Sequence, residues 1–159
     1  MTQGNFYFLS DEYCEQFKLY GVMSNKEASR GNEAKRPCFY AIQDEADPQL
    51  YWMVPISSQI QKYEALLAEK LKRYAEYDGL EFGYVRGRKA AFLLQNICPV
   101  TSAFIVEEYI DCETGIPVSI PKDLKRKINK KARKIIRLSE KGIKISITDI
   151  QTMRTLLKS

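Results

Sequence analysis

The last quarter of the chain sets positive charge onto a helical pattern, with thirteen Lys/Arg against three Asp/Glu across residues 121–159. Leu124, Ile128, Ile135 and Leu138 recur there at spacings of four, seven and three, with Ala132 between them. That period is one apolar stripe on an α-helix. Pro121 or Lys122 opens the helix and Gly142 closes it. With the stripe facing a core, Lys125, Arg126, Lys130, Arg133, Lys134, Arg137 and Lys141 must project outward, beside Lys122 at the start. A solvated face is the common reason for such a pattern. Here acids are nearly absent at i+3 and i+4, so neighbouring cations repel by about a few tenths of a kcal/mol per pair. An anion relieves that repulsion, and charge density with periodicity points to nucleic acid.

The rest of the chain is mildly acidic: five Lys/Arg against eight Asp/Glu in residues 1–60, and seven against nine in 61–120. The net charge of +5 therefore comes from one block, the footprint of a polyanion partner. A length of 159 residues without repeats or Gly/Ser-rich linkers reads as one compact domain over 1–159. Histidine is absent. That removes the usual acid–base group near neutral pH, and with it Ser-His-Asp and Cys-His sites. Catalysis would fall to Lys, Tyr, Ser, Thr, Arg or carboxylates. Cys14, Cys38, Cys98 and Cys112 form no C-x-x-C pair, so they read as free, mostly buried thiols, with no metal site and no cofactor. Met1–Ser10 lacks the basic lead-in of a secretory signal, and no window reaches the roughly 20 apolar residues of a membrane span. A soluble, cytoplasmic chain is expected.

Local patterns give an element order. Asn5–Leu9 reads as a strand. Ser10 caps a helix carrying Tyr13, Phe17 and Tyr20, and Gly21 stops it. Residues 22–36 have no apolar period and read as a long surface loop, a kind often functional. Pro37–Gln43 and Leu50–Ile56 read as strands around an Asp/Pro turn. Ser57 or Ser58 then caps a helix with Ile60, Tyr63, Leu67, Leu71 and Tyr74 on its apolar face, ended by Gly79. Leu80–Val85 and Ala90–Leu94 suggest a hairpin, Pro99–Ile110 a further strand, and the alternation of Ile143–Ile147 another. Thr148 caps a short final helix. Grouped strands with inserted helices predict α+β with a compact, twisted, mainly antiparallel sheet and surrounding helices.

Four clusters carry chemistry. The first is the basic helix. The second is the turn Arg86-Gly87-Arg88-Lys89, where Arg can fork onto a phosphate or stack on a base; alone it is also an ordinary polar turn. The third is the strand-to-helix block from Val54 to Tyr63. Its first helical turn offers N–H groups and a positive dipole end to a phosphate, with Ser57 and Ser58 hydroxyls beside them. Lys62 follows Ser58 by four, so both share a helix face. Simple capping followed by a solvent lysine fits this pattern too, and Gln61 breaks the S-x-x-K acyl-transfer spacing. The fourth is the loop holding Lys26, Arg30, Lys35 and Arg36. Ten tyrosines supply rings for stacking bases, most of them needed in the core; Tyr7, Tyr20 and Tyr84 are the candidates for contact.

The order of these blocks resembles the ToxN/AbiQ/CptN family of type III toxins, its CptN branch most of all. The matching residues run over nearly the whole chain. They are Phe6-Tyr7 with the acidic–aromatic segment Asp11–Tyr20, then Lys35-Arg36-Pro37, then Pro55-Ile56-Ser57-Ser58 with Lys62. Ala91–Asn96 with Pro99 and the basic helix complete the set. Two features depart from the better-known ToxN pattern. Its lysine follows the serine by two residues rather than four, and it carries a tyrosine before the second strand where this chain has only Lys35 and Arg36. The resemblance implies a MazF/Kid-like sheet and endoribonuclease activity. It also implies inhibition by a repeat-encoded pseudoknot RNA that the toxin itself processes, toxin–RNA hetero-oligomers, and a role in growth arrest and phage defence.

The expected chemistry is metal-independent cleavage of single-stranded RNA. The ribose 2′-OH attacks the adjacent phosphate and leaves 2′,3′-cyclic phosphate and 5′-OH ends, so the protein need only align and stabilise charge. Lys62 is expected to stabilise charge or donate a proton. Ser57 and Ser58 hold phosphoryl oxygens, Tyr7 or Lys35 takes part in proton transfer, and Arg36 holds a neighbouring phosphate. A non-catalytic RNA-binding protein using the same helix is the alternative. DNA binding fits less well, because no helix-turn-helix pattern precedes the helix.

Overall fold

The structure, a computed structural model, describes residues 1–25 and 35–158. Lys26 and Arg30 therefore lie outside the described residues. The strands are β1 (Phe6–Leu9), β2 (Pro37–Gln43), β3 (Tyr51–Ser57), β4 (Glu81–Val85), β5 (Arg88–Phe92), β6 (Cys98–Val100) and β7 (Ile105–Glu108). The α-helices are α1 (Asp11–Gln16), α2 (Ile60–Arg73), α3 (Lys122–Glu140) and α4 (Ile150–Lys158). The strands form one seven-stranded sheet in the order β4-β5-β3-β2-β1-β7, with β6 also on β3. Every pairing is antiparallel. The α+β architecture expected from grouped strands is present.

The β3 strand is the junction. Tyr51–Met53 pair with β6 while Ile56 and Ser57 pair with β5. One edge of β3 thus serves two partners in succession, which carries its last residues to the rim of the sheet. Alternation assigns the two faces. Phe39, Trp52, Val54, Ile56 and Phe92 point to one side, where Ile128, Ala132, Ile135 and Ile136 of α3 cover them. Tyr7, Cys38, Tyr40 and Met53 point to the other, against Tyr13 and Phe17 near α1 and Met153 of α4. Tyr63 of α2 packs on Ala91 and Leu93, so α2 and α3 sit on opposite faces of the sheet. Where α3 crosses the β4–β5 hairpin the approach is close: a Cβ at Gly83 would lie 2.2 Å from Leu124 Cδ2, so the Leu124 side chain would have to shift.

Several local expectations need correction. The segment Ile143–Ile147 is not a strand. Its Ile143 N–H goes to Leu138 O and its Ile147 N–H to Gln95 O, and Ile143 and Ile147 stay more than half exposed while Ser146 and Thr148 are buried. Pro99–Ile110 is split by a 3₁₀ turn at Ser102–Phe104 into β6 and β7. The β4–β5 turn needs only two residues, Arg86 and Gly87, both at positive φ (53° and 78°), the hairpin geometry that favours glycine. Arg88 and Lys89 therefore belong to β5. Leu71 and Tyr74, placed on the apolar face of α2 by spacing, are 47% and 55% exposed.

Candidate nucleic-acid interface

The α3 sequence folds as a helix because its apolar stripe meets the sheet, and the same stripe fixes which side chains face outward. Lys122, Lys125, Arg126, Lys130, Arg133, Lys134 and Arg137, with Asn129, line one continuous concavity of about 610 Å³. The fold sorts these cations into two kinds. Lys134 meets Asp78 at 2.6 Å and Glu76 at 2.9 Å, and those hydrogen bonds raise its ammonium pKa well above the usual lysine range. Arg126 pairs only with Asp123 on its own helix at 3.5 Å, both highly exposed. Among the described residues no ion pair engages Lys122, Lys125, Lys130, Arg133 or Arg137. Lys134 projects outward as expected, but acids from the α2–β4 connection neutralise it. One further cation escaped the sequence reading. Lys131 reaches back to Leu80 O at 2.9 Å and anchors α3 to β4.

The strand-to-helix block sits at the end of β3. Gln59, not a serine, precedes the first helical residue, and it makes no side-chain cap. Ser57 is buried, and its Oγ accepts the Gln59 N–H at 3.1 Å. Ser58 and Lys62 are exposed. The Lys62 Nζ lies 5.2 Å from the Tyr63 ring centroid, a loose cation–π contact. As the third residue of α2, Lys62 shares the first turn, whose N–H groups lack intrahelical acceptors. Cys38 pairs with Pro55, so Lys35 and Arg36, just upstream of β2, arrive at the same end of the sheet as Ser57 and Ser58.

Their roles there differ. Lys35 is exposed. Arg36 is 6% exposed; it donates from Nη1 to Ile56 O at 2.8 Å and from Nε to Ser24 O at 3.3 Å. Arg36 therefore holds the corner together rather than facing outward. Asn25, which the sequence reading missed, does similar work through Leu9 O at 2.7 Å and Asp11 Oδ1 at 3.0 Å. The hollow beneath the corner measures about 10 Å³, room for at most one water.

Tyr7 is 5% exposed. Its hydroxyl donates to Glu108 Oε2 at 3.0 Å and accepts the Thr2 N–H at 2.6 Å. Burial is the main cause that raises its pKa, and Glu108 adds to it. The Tyr7 hydroxyl is thus held by Glu108 of β7, while its backbone lies in register with Cys38 and, through it, Pro55. Tyr20 is half-buried against Phe17, whereas Tyr84 is 64% exposed. Arg86 is occupied by Tyr109 Oη at 3.0 Å and Asp111 at 3.6 Å. Lys89 lies 3.7 Å from Glu64, and Arg88 is exposed.

The remaining ionisable groups are structural. The four cysteines are free thiols, Cys38 and Cys98 buried and Cys112 exposed. Burial pushes Cys98 up to about 12 and Cys14 to about 11. Among the described residues no three of His, Cys, Asp and Glu converge on a metal-sized site. No helix among them is long and apolar enough to cross a membrane.

No protein-family profile and no curated protein matches the sequence. Solved structures do match. AbiQ, a lactococcal anti-phage endoribonuclease of the type III toxin–antitoxin system, superposes with a TM-score of 0.69 at 16% identity, over 99% of this chain and 97% of AbiQ. The chain has the AbiQ fold. A structure from a bacterial antiviral system regulated by a processed non-coding RNA gives a TM-score of 0.67 at 12% identity, covering 97% of each chain. A bacterial type III toxin, inhibited selectively by a non-coding RNA pseudoknot, gives 0.63 at 14% identity, covering 99% of this chain and 97% of the toxin. The AbiQ-like fold is thus spanned nearly end to end, although about five residues in six differ from AbiQ.

Proposed function

We propose that this chain is a sequence-specific endoribonuclease toxin of a type III toxin–antitoxin system, acting in the cytoplasm. A repeat-encoded pseudoknot RNA inhibits it and is processed by it within a toxin–RNA hetero-oligomer. The observation that carries this reading is the α3 face, whose Lys122, Lys125, Lys130, Arg133 and Arg137 have no acidic partner among the described residues, on an AbiQ-like fold. Such a row is built to release counterions from a phosphate backbone.

The chemistry needs no resident metal, because the nucleophile is the substrate's own 2′-OH. Lys62 stabilises charge on the scissile phosphate or protonates the leaving 5′-oxygen. Ser58 and the first-turn N–H groups of α2 hold the phosphoryl oxygens. Lys35, exposed at the same rim, takes part in proton transfer. Ser57, Arg36 and Tyr7 are positioning residues, since their polar atoms are already engaged within the protein.

The closed corner, with its hollow of about 10 Å³, favours one other reading, an RNA-binding protein that does not cut. Incubation of the purified chain with RNA in EDTA separates the two. Fragments ending in 2′,3′-cyclic phosphate are expected; intact RNA that is nonetheless bound would leave only the binding protein.

A further inference from the structure

A second hollow opens beside the cationic row, between the C-terminal half of α3 and the turn after β2. It holds about 210 Å³, below the roughly 300 Å³ at which drug-sized pockets begin, and so suits one small flat group. Arg133 and Arg137 border both this hollow and the long concavity of α3. A strand lying along α3 therefore passes over its mouth.

The walls mix signs. Asp44, Glu45 and Glu140 supply carboxylates, and Arg133, Arg137 and Arg154 supply guanidiniums. Ile42, Ile136 and Trp52 make the apolar part. Arg154 is fixed by Asp44 at 3.0 Å and Glu140 at 3.4 Å, and it lies 5.6 Å from the Trp52 ring centroid. Its Nε is buried and has no hydrogen-bond partner among the described residues, unusual for a buried donor. Among the described residues no ion pair engages Glu45, Arg133 or Arg137. A phosphate entering here would meet three carboxylates. A nucleobase carries donors and acceptors on one plane and meets both signs favourably. Guanine alone presents adjacent N1–H and N2–H donors, which match one carboxylate, together with O6 and N7 acceptors that match arginine.

We propose that this hollow reads a single unstacked guanine from RNA held on α3. Glu45 accepts from its N1–H and N2–H edge, and Arg137 donates to O6 and N7. The proposal rests on the reading of α3 as an RNA surface, and it adds a specificity element that the cationic row lacks.

Trp52 is the one tryptophan of the chain and lines the hollow, so its emission reports occupancy. The full-length protein is titrated with two single-stranded RNA hexamers at equal salt, one all-adenine and one with a central guanine. The guanine strand is expected to change Trp52 emission and to bind about tenfold tighter or more, the discrimination of a bidentate base contact. Glu45→Gln, on an exposed side chain, is expected to erase that preference while leaving the all-adenine affinity equal or slightly higher. Arg137→Ala should lower both affinities and the preference. Equal affinity and equal emission for the two strands would overturn the pocket with the RNA surface intact. So would a preference that survives both substitutions. If neither hexamer bound, the reading of α3 would fall, and the pocket with it.

Discussion

Arg36 and Arg137 look alike in the sequence, each an arginine in a cationic stretch, yet the fold gives them opposite surroundings. Arg36 is enclosed at the β3–α2 corner, with its guanidinium on the carbonyls of Ile56 and Ser24. Arg137 stands on the outer face of α3 with no acidic partner among the described residues. The difference is set by what distant sequence delivers. Backbone carbonyls reach Arg36, and acids at Glu76 and Asp78 reach Lys134, but among the described residues no ion pair reaches Arg133 or Arg137. A cation that the protein has already neutralised serves the fold. One that it leaves alone is available to a ligand.

Five substitutions or conditions test that contrast. The largest effect is expected at the surface of the corner: Lys62→Ala should slow RNA cleavage about 10²–10³-fold, as for removal of one charge-stabilising donor. Its RNA affinity should remain measurable by filter binding, and full cleavage by this variant would remove Lys62 from the mechanism. Beneath that surface, Arg36→Met should destabilise the fold by about 2–3 kcal/mol in urea titrations, because two carbonyls lose a charged donor. An unchanged midpoint would mean that Arg36 is not structural.

On α3, Arg133→Ala with Arg137→Ala should leave stability within about 0.5 kcal/mol. The slope of log affinity against log salt should flatten by about 0.7 for each single-strand phosphate that the protein no longer neutralises. Lys134→Ala should change that slope least among the α3 cations, and an equal change would show that its acids do not neutralise it. A separate test of burial is alkaline. Folded Cys38 and Cys98 keep their protons above the ordinary thiol pKa of 9.0, whereas the unfolded chain releases them. Stability from these thiols is complete below about pH 9 and declines above it, by about 1.4 kcal/mol per pH unit for each proton. Flat stability from pH 8 to 10.5 would contradict this.

Much of this architecture is legible in local pattern. The α3 stripe, the Gly21 stop and the strands β2 and β3 follow from periods that tertiary contacts reinforce. Ile143–Ile147 was not legible, because its alternation runs against its burial: the isoleucines at its ends are exposed, while Ser146 and Thr148 turn inward, the hydroxyl of Thr148 donating to Ile97 O. Hydroxyls that satisfy loop carbonyls have no periodic signature. The corner shows the same limit. Spacing placed Ser57, Ser58 and Lys62 together, but only the register of β2 on β3 brings Lys35 and Arg36 beside them. The partner of the Tyr7 hydroxyl, Glu108, comes from a pairing about a hundred positions away, which no local window contains. The hollow by Trp52 was invisible for the same reason, since its walls come from β2, α3 and α4.

The sheet order has a consequence for how the protein comes into being. The outer neighbour of β1 is β7, so the first strand made waits for Ile105–Glu108 to be translated before it is flanked on both sides. Up to residue 120 the nascent polypeptide carries twelve basic and seventeen acidic side chains, a net −5 that repels messenger and ribosomal RNA alike. On the proposed function, the cationic α3 that would hold RNA follows in the chain after the scaffold that presents it.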